Sequence, residues 1–260
     1  MCLIPIGCAP RSLPKSSLKF RLYHLKSFVI IKTGSTLLPI RQRFGDFEDW
    51  MSEGCGLSGA PVIDAAGGEA LPLPETLSGA IITGSPAMVT DRAGWMQSLA
   101  VWVREAVSEA VPLLGVCFGH QLLAQAMGGH VDYHPQGREI GTVAIELTEE
   151  GKRDPLLGHL PDRFTAHVTH AQSVMRLPAS ALHLAGNAYE AHQAFRVGEC
   201  AWGVQFHPEF TAEIMHGYVA EHAAALHEHG RDVAALKAAI ADTEAANALL
   251  KRFYGYCTER

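Results

Sequence analysis

The amino-acid sequence predicts an α/β fold: a mostly parallel central sheet flanked by helices, with extra antiparallel strands and C-terminal helices. Three observations predict it. Short apolar runs alternate with helical patterns through the first half of the chain, in the order β-α-β-β-α-β-α. A crowded series of short strand patterns with few helices then follows over 142–206, which fits antiparallel strands at the edge of a sheet. From Thr211 onward the sequence becomes Ala-rich and helical.

The elements follow in order. Residues 28–31 (FVII) form a compact apolar strand, and a helix is expected over 41–53. Residues 61–63 make a second strand, and 79–82 a third that runs straight into Thr83-Gly84-Ser85-Pro86. Met96, Leu99, Val103 and Val107 recur with the rhythm of one helix face. Residues 112–116 are the next strand and 120–127 the next helix, stopped by Gly128-Gly129. Strands are expected over 142–147, 166–168, 182–185, 193–196 and 201–206. Two helical segments, 211–228 and 232–253, are split at Gly230, and Leu236, Ile240, Leu249 and Leu250 are their apolar positions. These residues suit packing on the core, a dimer seam or a docked partner equally.

Length and composition set the outer limits. The chain has 260 residues, 48% hydrophobic and 18% charged, enough for one large core. Its formal net charge is −6 and its 21 Lys and Arg residues are scattered, so no nucleic-acid footprint is expected. Cys2, Cys8, Cys55, Cys117, Cys200 and Cys257 lie far apart with no CxxC pair, which fits free thiols in a reducing cytoplasm. No apolar run is long enough to span a bilayer. Residues 1–27 interleave basic and apolar residues with prolines and lack a secretory apolar block, so a poorly ordered extension is expected there.

The most informative stretch is Gly115-Val-Cys-Phe-Gly-His-Gln121, where a strand meets a helix at Cys117. Gly115 and Gly119 bracket the cysteine at −2 and +2, as a strained strand–nucleophile–helix turn requires. The helix that follows aims its N-terminal amides and positive dipole end at the sulfur, favouring thiolate. The Phe118 amide is then placed to donate to a developing oxyanion. Taken alone, this motif is equally compatible with a buried core cysteine between two packing glycines.

The second motif is Phe206-His-Pro-Glu209, in which Pro208 ends a strand and leaves His207 at its tip. A cysteine hydrolase needs an imidazole to take the thiol proton and return it to the leaving nitrogen. It also needs a carboxylate to fix the imidazole's tautomer, and Glu209 supplies one.

With these two motifs the sequence resembles the class I, triad-type glutamine amidotransferases, from about residue 28 to residue 210. The resemblance implies a flavodoxin-like fold, with residues 28–210 as the amidotransferase domain and 211–260 as a helical segment packed on it. It implies Cys117, His207 and Glu209 as the triad, with Gly84, Ser85 and Phe118 around the oxyanion. It further implies that Gln121 contacts the glutamyl part of the substrate, and that His170, Ala171 and Gln172 lie on the strand edge that grips its amino-acid end. Glutamine domains of GMP synthetases usually carry His-Gly-Asp at that edge, and this chain departs from them there. No SGGxDS-like pyrophosphate loop occurs, so no synthetase domain of its own is expected. Gly137-Arg-Glu-Ile-Gly141 resembles a segment common in stand-alone members, and the residues alone assign it no role.

The function expected is therefore hydrolysis of glutamine's γ-amide through a γ-glutamyl thioester, serving a separate synthetase subunit. One alternative is a γ-glutamyl peptidase or hydrolase acting on other γ-glutamyl amides. Another is a non-catalytic regulatory protein on the same fold. No cofactor and no metal are expected; of the 14 histidines, His222, His227 and His229 read as solvated residues of a helix. The expected assembly is a monomer or homodimer, without nucleic acid or membrane.

Overall fold

The computed structural model describes residues 26–259. The expected extension over 1–27 therefore lies almost wholly outside the described residues, as do Cys2 and Cys8. The first half contains β1 (Ser27–Lys32), α1 (Leu38–Phe44), α2 (Phe47–Gly54), β2 (Val62–Asp64), β3 (Leu77–Ile82), α3 (Gly94–Ser108), β4 (Leu113–Val116) and α4 (Phe118–Ala126). The second half begins with β5 (His130–Tyr133), β6 (Glu139–Leu147), α5 (Glu149–Arg153), β7 (Arg163–His170), β8 (Gln172–Arg176), β9 (Ala181–Gly186), β10 (Ala194–Val197) and β11 (Ala201–Val204). Four helices close the chain: α6 (Ala212–Glu221), α7 (Ala223–Glu228), α8 (Val233–Ala238) and α9 (Glu244–Thr258).

Nine strands form one sheet in the order β2-β1-β3-β4-β11-β10-β9-β6-β7. From β2 to β11 every pairing is parallel, and from β11 to β7 the pairings are antiparallel. Successive residues of β1, β3 and β4 face opposite sides, as the pleat dictates. Ile30, Ile81 and Leu114 join a core with Met51, Leu249, Leu250 and Phe253. Their neighbours Ile31, Ile82 and Leu113 join another with Leu99, Val103 and Leu122. All four residues of β4 and of β11 are buried, the pattern of strands covered on both faces.

Helix α9 shows why the chain's end belongs to this core. Ala246, Leu249, Leu250, Phe253 and Cys257 recur at helical spacing and are all buried. Leu250 lies over Gly54 and Cys257 over Gly79, where an added Cβ would collide with each. Of the uses open to these apolar positions, Leu249 and Leu250 take the core.

Several boundaries differ from the sequence expectation. The helix expected over 41–53 is two, because Gly45 (φ 86°) turns the chain and Asp46 caps α2 in a reciprocal capping box with Asp49. Strands β5 and β8 pair with each other in a separate two-stranded sheet, and neither was expected. Strand β6 begins three residues before the expected start at 142, at a buried carboxylate, Glu139. The segment expected over 211–228 breaks at His222, and that over 232–253 at residues 239–243. Among the described residues, no helix is long and apolar enough to cross a membrane.

Candidate active site

Strand β4 delivers the chain to Cys117 and α4 takes it away at Phe118. The Cys117 amide donates to Val204 O at 2.9 Å, continuing the β4–β11 ladder, while its carbonyl accepts from the Gln121 amide at 3.1 Å. Cys117 thus belongs to both elements and sits at φ 51°, ψ −97°, a conformation that costs a non-glycine residue roughly 1–3 kcal/mol. The bracketing glycines make this possible. A Cβ on Gly115 would come 2.5 Å from the Gly119 carbonyl carbon, and one on Gly119 would come 2.5 Å from Ile82 O on β3. Both obstacles are backbone, which no rotamer change can relieve.

Strand β11 runs beside β4 in parallel, so its end lies beside the turn. Three residues beyond it, the His207 amide donates to His167 O on β7 at 2.8 Å, fixing the backbone. The imidazole is stacked between Phe210 and Phe47, with ring centroids 4.1 and 6.4 Å away. His207 Nδ1 lies 2.7 Å from Glu209 Oε1, and both side chains are buried. Its Nε2 is buried without a partner of ordinary hydrogen-bond geometry. Burial disfavours the charged ring, but the charges of Glu209 and Cys117 outweigh it, together with side-chain contacts to both, and push His207 up to about 10. An imidazolium beside a thiolate is the resting state this arrangement favours.

Opposite the elbow, the turn after β3 is tied down from β1. Thr33 Oγ1 donates to Gly84 O at 3.0 Å, and Ser85 Oγ donates to Thr33 O at 2.7 Å. Ser85 and Phe118 line one cleft with Cys117 and His207, about 200 Å³ in volume. Gly84 packs behind it, where a Cβ would approach His207 Cε1 to 3.2 Å. Phe118 is the first residue of α4, so its amide has no acceptor within the helix.

The expected substrate-contacting residues also reach this cleft, though their side chains are largely engaged elsewhere. Gln121 Nε2 donates to Gln172 O (2.7 Å) and Gln205 Oε1 (2.9 Å), leaving its amide oxygen for a ligand. His170 faces Gln172 O through Nδ1 and Glu139 Oε2 through Nε2, both at 2.9 Å. Glu139 also accepts from Asn187 (3.0 Å) and Gln193 (3.1 Å). His170 therefore braces the strand edge from behind. Gln172 Nε2 is bound to Thr90 Oγ1 at 2.6 Å. Contact with a ligand falls to the backbone of 169–172.

Sequence reasoning missed Arg138 and Tyr218, which line the same cleft. Arg138 donates to Thr169 Oγ1 at 3.3 Å and pairs with no carboxylate among the described residues. Burial holds its pKa below the ordinary guanidinium value, against the pull of charge on Cys117 and Tyr218. His222, expected to be solvated, is half-buried at this wall; burial and the Arg138 charge both lower its pKa. The signal available for Arg138 and Glu139 was their place in the 137–141 segment. His222 had none, because long-range packing brings it to the cleft.

Two neighbouring imidazoles make the site acid-sensitive. Burial lowers His120 to about 3, and burial followed by the charges of His207 and His216 lowers His167 to about 4. Both rings stay neutral in the fold, whereas an unfolded chain takes up protons below about pH 6.5. Each ring's stability contribution is present above that value and is lost as pH falls toward its folded pKa, at about 1.4 kcal/mol per pH unit. Urea midpoints are expected to drop steadily between about pH 6.5 and about pH 4, with the slope reduced in His120→Gln if that variant folds. A flat midpoint across this window would contradict it.

The comparisons with known proteins converge on one family. The family model for glutamine amidotransferase class-I matches residues 66–224. The glutamine-hydrolyzing subunit of the GMP synthase of Methanosarcina barkeri is 38% identical over 140 residues, which is 54% of this chain and 68% of that one. The corresponding subunit of the Methanopyrus kandleri enzyme is 32% identical over 136 residues, 52% of this chain and 68% of that one. The glutamine-hydrolyzing GMP synthase of Porphyromonas gingivalis is 36% identical over 141 residues, 53% of this chain, and the match spans about a quarter (26%) of its length. In fold, a glutamine amidotransferase from Thermotoga maritima superposes with a TM-score of 0.71 at 22% identity, covering 90% of this chain and 99% of that one. By the match over most of its central region and by its relatives, the chain belongs to the glutamine amidotransferase class-I family and is an enzyme of that amidohydrolase type.

Proposed function

We propose that the chain hydrolyses the γ-amide of glutamine, with Cys117 as nucleophile, His207 as proton carrier and Glu209 as the carboxylate that orients it. The observation that carries this reading is His207. Its Nδ1 is held by Glu209 at 2.7 Å, its pKa is raised partly by the Cys117 charge, and it shares the cleft with that thiol. The thiolate attacks the γ-carbonyl carbon, and the oxyanion is met by the Phe118 amide and by the turn at Gly84 and Ser85. Collapse breaks the C–N bond, and the His207 proton goes to the departing ammonia. Water then attacks the thioester, returning a proton to His207 and releasing glutamate. Gln121 and the backbone of 169–172 would hold the glutamyl group. The archaeal relatives from Methanosarcina barkeri and Methanopyrus kandleri are each one subunit of a GMP synthase, which supports delivery of ammonia to a separate acceptor protein.

Glu209→Gln tests the role of the carboxylate. The amide keeps the shape but favours the wrong imidazole tautomer, and it removes the charge that raises His207. Ammonia release from glutamine is expected to fall about 10²–10⁴-fold in kcat with KM little changed. An unchanged kcat would remove Glu209 from the mechanism.

A further inference from the structure

The active-site cleft does not end at Tyr218. A second cavity of about 230 Å³ adjoins it and shares two of its lining residues, Arg138 and His222. Arg231 and His229 are added to its wall, and none of its lining residues is acidic. Among the described residues neither Arg138 nor Arg231 forms an ion pair. Arg231 Nη1 donates to Arg138 O at 3.3 Å, which sets the two guanidinium-bearing residues side by side. His229 Nδ1 is committed to Ala225 O at 2.7 Å, which leaves Nε2 as its outward nitrogen. Two half-buried cations without a carboxylate are costly unless a ligand brings the anion.

The position of this cavity fixes which part of a substrate it would meet. From His207 a run of stacked rings leads through Phe210 (4.1 Å) and Tyr218 (4.9 Å) to His222 (6.4 Å). The shared wall therefore lies on the side of the imidazole that protonates the leaving nitrogen. The glutamyl group is assigned to the other side, at Gln121 and 169–172. We infer that Arg138 and Arg231 form a leaving-group subsite for a carboxylate, so that γ-glutamyl amino acids are substrates alongside glutamine. This rests on the Cys117 reading above. The chemistry is unchanged: the thiolate takes the γ-carbonyl carbon, the C–N bond breaks, and the His207 proton goes to the amine of the departing amino acid. Water then cleaves the thioester to glutamate.

The test uses the intact chain and three substrates: glutamine, γ-glutamylglycine and γ-glutamylglycinamide. The last two differ only in the charge of the group facing the subsite. The wild-type chain is expected to favour γ-glutamylglycine over γ-glutamylglycinamide by about tenfold or more in kcat/KM. Arg231→Gln is expected to bring that ratio close to unity, and Arg231→Lys to restore most of it. Glutamine turnover with a ratio near unity in the wild-type chain would overturn the subsite and leave the Cys117 reading standing. Failure to cleave all three would overturn both. Inhibition by inorganic phosphate without any preference between the two dipeptide analogues would assign the cations to a phosphate and overturn the carboxylate assignment.

Discussion

Cys117→Ser is expected to leave the protein folded and to lower glutamine hydrolysis by about 10⁴-fold or more, with most of the loss in kcat. The exchange is nearly isosteric, so the loss reports on chemistry. A hydroxyl is far harder to ionise than a thiol, and the imidazolium that His207 favours beside a thiolate would have no anion to face. Cys55 is the internal control. It is buried against the Leu250 carbonyl, and burial pushes its thiol up to about 12, so it stays neutral. Cys55→Ser should change turnover by less than about threefold, within the range expected when no transition-state contact is touched. Turnover and denaturant midpoints measured on both variants separate the two cases.

The second large effect is expected at the glycines of the turn. By helix propensity alone, Gly119→Ala would stabilise α4 by about 1 kcal/mol. The structure reverses that sign, because the new methyl would lie 2.5 Å from Ile82 O, a backbone atom of the central sheet. Overpacking of this kind costs about 1–3 kcal/mol, and the obstacle is among the least yielding parts of the molecule. Gly115→Ala meets the Gly119 carbonyl in the same way. Each variant is expected to lose about 2 kcal/mol in a urea titration and to lose turnover beyond that, since relief requires moving Cys117. Gly137→Ala is the contrast: no atom lies within 4 Å of its added Cβ, so only its positive φ of 87° is at issue. It should cost less stability than either and leave Cys117 in place.

These expectations show which parts of the molecule were legible in the sequence. The parallel half was, because its strands are buried on both faces and read as apolar runs between amphipathic helices. The turn at Cys117 was legible for a local reason, since both glycines answer to backbone atoms at fixed offsets. His207 and Glu209 were legible because Pro208 ends the strand between them. Strands β5 and β8 were not, being four and five residues long and paired only with each other. Glu139 obscured the start of β6, because a carboxylate reads as exposed until His170, Asn187 and Gln193 are found around it. Arg138, Tyr218 and His222 reach the cleft by packing between distant segments, and no periodicity records that.

The central claim is that the Cys117 sulfur is the atom that takes the γ-carbonyl carbon of a glutamine-like ligand. Incubating the intact protein with a glutamine-mimicking diazoketone, followed by intact-mass and peptide mapping, tests it directly. One adduct per chain on the peptide containing Cys117, suppressed by excess glutamine, is the predicted result. Absence of an adduct, or labelling spread over Cys55, Cys200 and Cys257 regardless of glutamine, would contradict the account.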